Sequence, residues 1–201
     1  MSQSAGGQVH HRVVAVLVVA ISAVILGLGS AWLAVLHWPA DQALHVGAWR
    51  TSLSAGSQAA NPYSRARIAI TSLFALDRRE TIYFEATTDD RGAALRANCQ
   101  YRVIGSTLPA RWWSITAYAD DNFLIANSAN RFSFNMGNIA YDADGAFTLL
   151  LASSPQPGNW LPSGSQGGII LLLRLYNPAP DVAAEPSAAK LPRIVSDRPC
   201  A

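Results

Sequence analysis

The chain has 201 residues, of which half are hydrophobic and only 14% are charged, so it is more apolar than most soluble proteins of this length. Its 15 basic and 13 acidic residues leave a net charge of +2, and Lys190 is the only lysine. The arginines are scattered among the acids, so the sequence has none of the basic runs that bind nucleic acid. We therefore expect no nucleic-acid partner.

An uncharged apolar segment near the N-terminus accounts for part of the hydrophobic excess. Residues 13–36 contain no charged side chain, and these 24 residues exceed the ~20 that a helix needs to cross the core of a bilayer. A cleaved signal peptide is the alternative, but its apolar part is usually only ~7–15 residues long. The sequence therefore predicts a transmembrane helix at 13–36 that is retained as a signal-anchor.

The residues on either side of this helix predict its orientation. Residues 1–12 form a short tail that ends in Arg12, and a short basic tail favours the cytoplasmic side. Trp32 and Trp38 lie near the other end, where indoles favour the membrane–water interface. We expect a single span in the bacterial inner membrane, with the rest of the chain in the periplasm.

Three segments follow the predicted helix. Residues 37–60 are small and polar and predict a linker, residues 61–177 predict a folded domain, and the Pro- and Ala-rich residues 178–201 predict an extended tail. The domain opens with a short helix, because Asn61 is a favourable N-cap and Pro62 suits the first helical position.

From residue 80 the hydrophobic pattern changes to a period of two, which is typical of strands. Gly, Asp, Asn and Pro turns separate the predicted strands at 81–87, 99–104, 112–118, 123–126, 131–135, 146–152 and 168–176. Short strands in this arrangement indicate an antiparallel sandwich or barrel. The predicted class is mainly β, an antiparallel β-sandwich with one short flanking helix, preceded by the transmembrane helix.

Seven motifs occur in order along the chain: NPYSRARIA, YFEATTDDRG, YRVIG, PARWWSITAYADDNFL, NSANRFSF, GNWLPSG and LLLRLYNP. Together they resemble the domain of unknown function 1214 family, over about residues 49–194. The resemblance implies a jelly-roll-like β-sandwich. Many members of that family carry a larger N-terminal domain, so this chain resembles a short, single-helix-anchored member. The resemblance supplies no catalytic residues.

The residue types most used in catalysis are scarce in the predicted domain. All four histidines, His10, His11, His37 and His45, precede it, and Lys190 lies in the predicted tail. A Ser-His-Asp triad, a His-ligated metal or a lysine Schiff base is therefore not expected there. We expect no metal and no cofactor, and we favour a non-catalytic role.

Carboxylates leave one enzymatic alternative. Asp120 and Asp121 follow a predicted strand, but a glycosidase pair needs two opposed acids, and adjacent acids on a turn are more often turn formers. Asp142 and Asp144 resemble half of a calcium loop but lack its third acid and its glutamate. A hairpin turn is the preferred interpretation of the second pair.

The two cysteines, Cys99 and Cys200, form an even count in a domain that we expect outside the cytoplasm. A disulfide between them is the expectation for an oxidising compartment. The alternative is two unrelated thiols.

Aromatic, amide and guanidinium side chains are the remaining candidates for recognition. An indole stacks on sugars or peptides while polar neighbours fix the ligand's orientation, although core packing is a competing interpretation of the same residues. Arg174 and Tyr176 share a face of the last long strand and predict hydrogen-bonded support. The candidate ligand-binding residues are Arg111, Trp112, Tyr118, Asn127, Asn130, Arg131, Asn159 and Trp160.

Strand alternation separates two adjacent tryptophans. Trp113 shares a face with Ile115, which predicts burial, whereas Trp112 shares the other face with Ser114 and Thr116 and is the best candidate for exposure. We expect a membrane-anchored envelope protein with a non-catalytic β-sandwich that binds or assembles with an envelope glycan or protein. The alternatives are a carboxylate-dependent enzyme acting on an envelope polysaccharide and a purely structural subunit of an envelope complex.

Overall fold

The computed structural model describes residues 4–37, 43–54, 56–57, 60–70 and 76–197. It contains a long N-terminal helix, ten strands and short helices near both ends of the β-rich part. The helices are α1 (Ser4–His37), α2 (Pro62–Ile70), α3 (Pro180–Ala184) and a single 3-10 turn (Pro186–Ala188). The strands are β1 (Ala43–Val46), β2 (Trp49–Ser52), β3 (Thr81–Ala86), β4 (Tyr101–Ser106), β5 (Ala110–Ala119), β6 (Ser133–Asn135), β7 (Ala146–Ala152), β8 (Asn159–Pro162), β9 (Ile169–Pro178) and β10 (Arg193–Ser196).

The strands form two sheets. The larger sheet has the order β1-β2-β3-β9-β5-β6, and each neighbouring pair is antiparallel. The smaller sheet has the order β10-β4-β7-β8, in which β7 and β8 are parallel and the other pairs are antiparallel. The predicted mainly β class with two sheets is confirmed, with one parallel pair that the sequence pattern did not predict.

The hydrophobic core lies between the two sheets. Alternate residues of β5 and β9 point inward from the larger sheet, and β4, β7 and β10 contribute from the smaller one. The ring of Trp113 stacks on that of Phe147, with 5.3 Å between centroids, and so joins the two sheets. Fully buried members include Phe84, Val103, Trp113, Ile115, Leu149, Leu151, Leu171, Leu173, Leu175 and Ile194.

The helix α1 lies outside this core. Residues 10–37 are long and apolar enough to cross a membrane, and none of their most apolar part is buried against the rest of the protein. A helix that is apolar on every side is typical of a membrane span rather than of an amphipathic surface helix. The chain therefore carries a helix compatible with a single-pass membrane anchor. Trp38 lies outside the described residues.

The predicted linker needs correction, because residues 43–52 form β1 and β2. Trp49 and Thr51 point inward and are buried, and Trp49 Nε1 donates to the backbone oxygen of Pro192 at 2.6 Å. Only alternate residues of this edge hairpin face the core, so its small and polar intervening residues gave the segment the composition of a linker. His45 therefore belongs to the folded unit, contrary to the expectation that all four histidines precede it.

The predicted tail also needs correction, because α3, the 3-10 turn and β10 lie within it. β10 pairs with β4, and Ile194 is fully buried. The Asp90 carboxylate accepts hydrogen bonds from the backbone N–H of Ile194 and from Arg193 Nε, each at 3.2 Å. An edge strand gains much of its attachment from backbone pairing, so few large apolar residues are needed. Residues 198–201 lie outside the described part.

Residues 123–126, predicted as a strand, belong to a loop. The Asp121 carboxylate accepts a hydrogen bond from the N–H of Phe123 at 2.9 Å, and Asn122 has a φ of 67°. These two features form a turn directly after β5, and that local chemistry overrides the apolar run that suggested a strand.

The predicted helix start is confirmed at α2. Asn61 Oδ1 accepts a hydrogen bond from the N–H of Ser64 at 2.9 Å, which is the N-cap interaction, and Pro62 is the first helical residue. Residues 71–75 lie outside the described part.

Candidate ligand-binding face

The outward side of the larger sheet gathers polar and aromatic residues from its central strands. Cα partners in antiparallel strands share a face, so the register assigns these residues directly. We call this surface the outer face. It comprises Thr81, Tyr83 and Glu85 of β3, Ile170, Leu172, Arg174 and Tyr176 of β9, and Trp112, Ser114, Thr116 and Tyr118 of β5.

Arg174 lies in the middle of the outer face. Its Nη1 donates to Thr116 Oγ1 at 3.1 Å and its Nη2 donates to the Tyr118 hydroxyl at 2.8 Å. The guanidinium carbon is 5.8 Å from the centroid of the Tyr118 ring. Within the described residues, the ion pairs do not include Arg174. The face therefore presents a positioned positive charge whose orientation is fixed by neutral neighbours.

Trp112 is the most exposed aromatic residue of the outer face. It is 42% exposed, whereas Trp113 is completely buried, as strand alternation predicts. A Cβ at Gly137 would lie 3.0 Å from Trp112 Cη2, so the indole rests close to the backbone at that glycine. The ring is held in place on one side and open to solvent on the other.

A cavity lies beside the row that contains Trp112. Trp112 is the Cα partner of Tyr176, which in turn is the Cα partner of Thr81. Thr81 is only 2% exposed, and its hydroxyl has no hydrogen-bond partner. It lines a small cavity of about 20 Å³, with room for about one water molecule, together with Thr51, Ser52, Leu53, Arg78, Ile82, Tyr83 and Pro186.

The unpaired hydroxyl of Thr81 is chemically informative. Burying such a group without a hydrogen bond costs about 1–3 kcal/mol, so proteins rarely retain one without a reason. A cavity of this size has room for one water molecule or one hydroxyl group of a ligand, and either would supply the missing partner. The outer face therefore runs from the exposed ring of Trp112 on β5 to a small recess on β3 that contains the buried hydroxyl of Thr81.

Charged residues border the outer face on the side of β2. Arg50 and Glu85 form an ion pair across β2 and β3, and His45 of β1 is the Cα partner of Arg50. The charges of the ion pair neutralise each other, so they add polarity to this side without adding net charge.

Four of the other candidate residues lie where the edges of the two sheets meet. Arg131 Nη1 donates to the backbone oxygen of Trp160 at 3.0 Å. Its guanidinium carbon lies 5.5 Å from the ring centroid of Phe134 in β6 and 5.8 Å from that of Trp160 in β8. Arg131 thus connects one edge of the larger sheet to one edge of the smaller sheet.

The amides of this group are occupied within the protein. Asn127 Nδ2 donates to the backbone oxygen of Arg131 at 2.9 Å, and Asn127 Oδ1 accepts from its N–H at 3.0 Å. Asn159 makes the corresponding pair of bonds to the backbone of Ala140, both at 2.8 Å. Trp160 Nε1 donates to the Ala152 oxygen at 2.9 Å. These contacts stabilise loops and strand ends.

The last two candidates make no hydrogen bond that would organise a site. Asn130 is exposed in a turn with a φ of 49°, and Arg111 is exposed at the start of β5. Of the eight predicted residues, the structure therefore places Trp112 and Tyr118 on the outer face, towards opposite ends of β5, and Arg111 directly before Trp112.

The candidate carboxylates hold turns. Asp120 Oδ2 accepts from the N–H of Gly168 at 3.1 Å, and Asp121 holds the turn after β5. Asp142 Oδ1 accepts from the N–H groups of Asp144 and Ala146, at 3.1 and 2.8 Å. Among the residues that the structure describes, no group of three or more His, Cys, Asp or Glu could hold a metal ion.

Among the residues that the structure describes, two ionisable groups have displaced pKa values, and both lie off the outer face. Burial raises the pKa of Tyr101 above its ordinary value, with a further contribution from the nearby Asp89 charge. Hydrogen bonds from the backbone N–H and side chain of Arg79 lower the pKa of Asp77. Neither shift creates a general acid or base near neutral pH.

Cys99 is buried in the turn that precedes β4. Cys200, its predicted disulfide partner, lies outside the described residues, so the pairing stays a prediction.

Sequence reasoning missed the residues that complete the outer face. Thr81, Tyr83 and Glu85 were predicted to lie in a strand but were not considered as site residues. Their alternation with Ile82 and Phe84 was the available signal, since polar residues on one side of a central strand indicate a functional or solvated face. The recess itself depends on Pro186, about a hundred residues away, and could not be inferred locally.

Comparisons with known proteins agree with the fold and identify no activity. The family model described as "Protein of unknown function (DUF1214)" matches residues 80–180, which run from the start of β3 to just beyond β9. No curated protein matches the chain at a significant level.

Two solved structures are similar to parts of the chain. The VPA0106 protein from Vibrio parahaemolyticus is 22% identical with a TM-score of 0.58, over 70% of this chain and 36% of that one. An uncharacterized protein from Burkholderia cenocepacia is 17% identical with a TM-score of 0.37, over 60% of this chain and 31% of that one. The chain thus spans about a third of the length of these relatives. The first likeness shows the shared fold.

Proposed function

The chain belongs to the DUF1214 family of proteins of unknown function, and we propose its role from the site itself: a membrane-anchored, non-catalytic module that binds a glycan of the bacterial cell envelope on its outer face. The anchor is α1, and we place it in the inner membrane with the sandwich in the periplasm. The short tail that ends in Arg12 supports this orientation.

The observation that carries the proposal is the open face of the Trp112 indole. Its register partner Tyr176 continues the aromatic surface towards the small recess at Thr81. An exposed indole packs against the apolar faces of sugar rings, while hydroxyl and guanidinium groups such as Arg174 bind sugar hydroxyls. The combination suits a flat ligand that carries many hydroxyl groups.

The position of the outer face favours side-chain recognition over strand addition. β3, β5 and β9 are interior strands of the larger sheet, each paired on both sides. Their backbone groups are already hydrogen-bonded, so an extended peptide cannot add to them as a new strand. A ligand on this surface must be recognised by side chains, which agrees with stacking on Trp112.

The proposal is tested by measuring glycan binding to the full chain in detergent. We expect a glycan array of envelope oligosaccharides to give a ligand, and Trp112→Ala to weaken its binding at least tenfold, or about 1.4 kcal/mol. Phe123→Ala is the matched control, since Phe123 is a 74% exposed ring in the loop after the other end of β5. Equal binding by the two variants, or no glycan binding at all, would contradict the proposal.

Thr81→Val provides a second test that separates binding from stability. Valine has nearly the same shape but no hydroxyl, so it removes a buried group that lacks a partner. We expect the melting temperature to stay the same or rise while glycan affinity falls. A loss of stability without a change in affinity would assign Thr81 a structural role instead.

A further inference from the structure

The short helix α2 contacts the end of the apolar helix α1 instead of packing into the hydrophobic core. None of its nine residues is buried, yet it lies against the C-terminal end of α1. Arg67 Nη2 donates to the backbone oxygens of Leu36 and Val35, at 2.8 and 3.1 Å, and Arg67 Nε donates to Val35 at 3.3 Å. One guanidinium therefore joins the two helices.

These hydrogen bonds fix the position of α2 along the axis of the apolar helix α1. The last carbonyls of a helix lack partners within it, and a cation at that end also offsets the helix dipole. Val35 and Leu36 are the last residues of the uncharged segment 13–36. If that segment spans a bilayer, then Arg67 holds α2 at the depth where α1 passes from the hydrocarbon core into the headgroup region.

The exposed residues of α2 are of the types that favour the membrane–water interface. Spacings of three and four residues place Tyr63, Arg67 and Ile70 on one face of the helix. Tyr63 is 39% exposed and Ile70 is 51% exposed. Tyrosine rings favour the headgroup region, and arginine extends its apolar stem along a membrane while its charge stays in the polar layer. The face that carries Arg67 thus also carries exposed residues of the types that favour the membrane interface.

We propose that α2 lies on the lipid surface, with Tyr63 and Ile70 at the boundary between headgroups and acyl chains. The domain then touches the membrane at two points, the span itself and a helix about 13 Å long. This inference rests on the proposed membrane anchoring. It identifies a lipid-contacting surface in the folded part of the chain.

Photo-crosslinking of the full chain in vesicles of phosphatidylethanolamine and phosphatidylglycerol tests the inference. p-Benzoylphenylalanine is placed at Ile70 or, as the control, at Phe123, which is exposed in the loop after β5. We expect phospholipid adducts at Ile70 to exceed those at Phe123 at least fivefold by mass spectrometry. Equal yields at the two positions would overturn the inference.

Alkaline carbonate extraction of the same vesicles separates this inference from the proposed anchoring. Release of the chain by carbonate would overturn both, because α1 would not span the bilayer. A chain that stays in the membrane but gives no excess adduct at Ile70 would overturn only the inference about α2.

The role of Arg67 is tested on the same helix. We expect Arg67→Ala to lower the adduct yield at Ile70 at least twofold while the chain stays resistant to carbonate. Arg65→Ala is the control, since Arg65 Nε donates locally to the Ala60 oxygen at 3.0 Å. An unchanged yield in Arg67→Ala would mean that the contact with α1 does not hold α2 on the lipid.

Discussion

Trp112 and Trp113 are neighbours in β5 with opposite surroundings. Trp112 faces solvent beside Gly137, whereas Trp113 is buried and stacks on Phe147. The indole N–H of Trp113 is also buried without a hydrogen-bond partner. The packing of the Trp113 ring therefore stabilises the domain, whereas its unpaired N–H destabilises it.

The two effects at Trp113 can be separated by substitution. Trp113→Ala should destabilise the domain by about 3–5 kcal/mol, because it leaves a cavity between the sheets. Trp113→Phe should cost clearly less, since it retains a ring against Phe147 and removes the unpaired N–H. Urea unfolding of both variants in detergent measures the difference. Equal losses would mean that the volume of the indole alone determines its contribution.

Local periodicity predicts which side of a strand a residue occupies, but not which distant residues it contacts there. Alternation correctly separated Trp112 from Trp113, because the two positions differ only by the pleat. It could not predict that Trp49 would donate to Pro192, a residue 143 positions away. The recess at Thr81 escaped prediction for the same reason, because its wall includes Pro186.

Among the elements, the strands with long hydrophobic alternation were predictable and the four-residue strands were not. β3, β5, β7 and β9 each carry three or more inward apolar residues. β1, β2, β8 and β10 are four residues long, which is too short for a periodic signal. Such strands form because a neighbour supplies backbone partners, and that information lies elsewhere in the chain.

The helix α2 depends on its cap more than a packed helix would. It has no buried residue, so Asn61→Ala, which removes the N-cap bond to Ser64, should cost about 1 kcal/mol of local stability. We expect faster amide exchange at residues 64–70 and little change in the sheets. Asn61→Asp should retain protection, because aspartate caps equally well. Unchanged exchange in Asn61→Ala would show that contacts with α1 alone maintain the helix.

At the scale of the whole molecule, the orientation of the chain across the membrane is the first quantity to measure. We expect an alkaline phosphatase fused after Ala201 to be active and an ordinary green fluorescent protein at the same point to be dark. The phosphatase needs an oxidising compartment to fold, whereas the fluorescent protein does not mature after export as an unfolded chain. The opposite pattern would place the sandwich in the cytoplasm.

The cysteine pair depends on the same orientation. If Cys99 and Cys200 are joined, the bridge closes a loop of about 100 residues, for which chain entropy gives at most about 4.7 kcal/mol. We expect the actual gain to be smaller, because strain in the folded state and residual structure in the unfolded chain reduce the entropic benefit of a disulfide. Peptide mapping without reductant should find the linked peptides in exported protein. Two unmodified thiols in that sample would rule out the bridge.

The hydrogen bonds from Arg67 to Val35 and Leu36 also bear on how a ligand could arrive. A domain that is attached to the membrane at one point rotates freely, so each of its surfaces faces all directions over time. If α2 lies on the lipid surface as proposed, the chain has a second attachment there, which narrows the range of directions that the Trp112 surface can face. A partner that is itself confined to the bilayer then needs to search only in two dimensions, at the high effective concentration that confinement gives. A glycan carried on a lipid is therefore the ligand that would benefit most from the proposed arrangement.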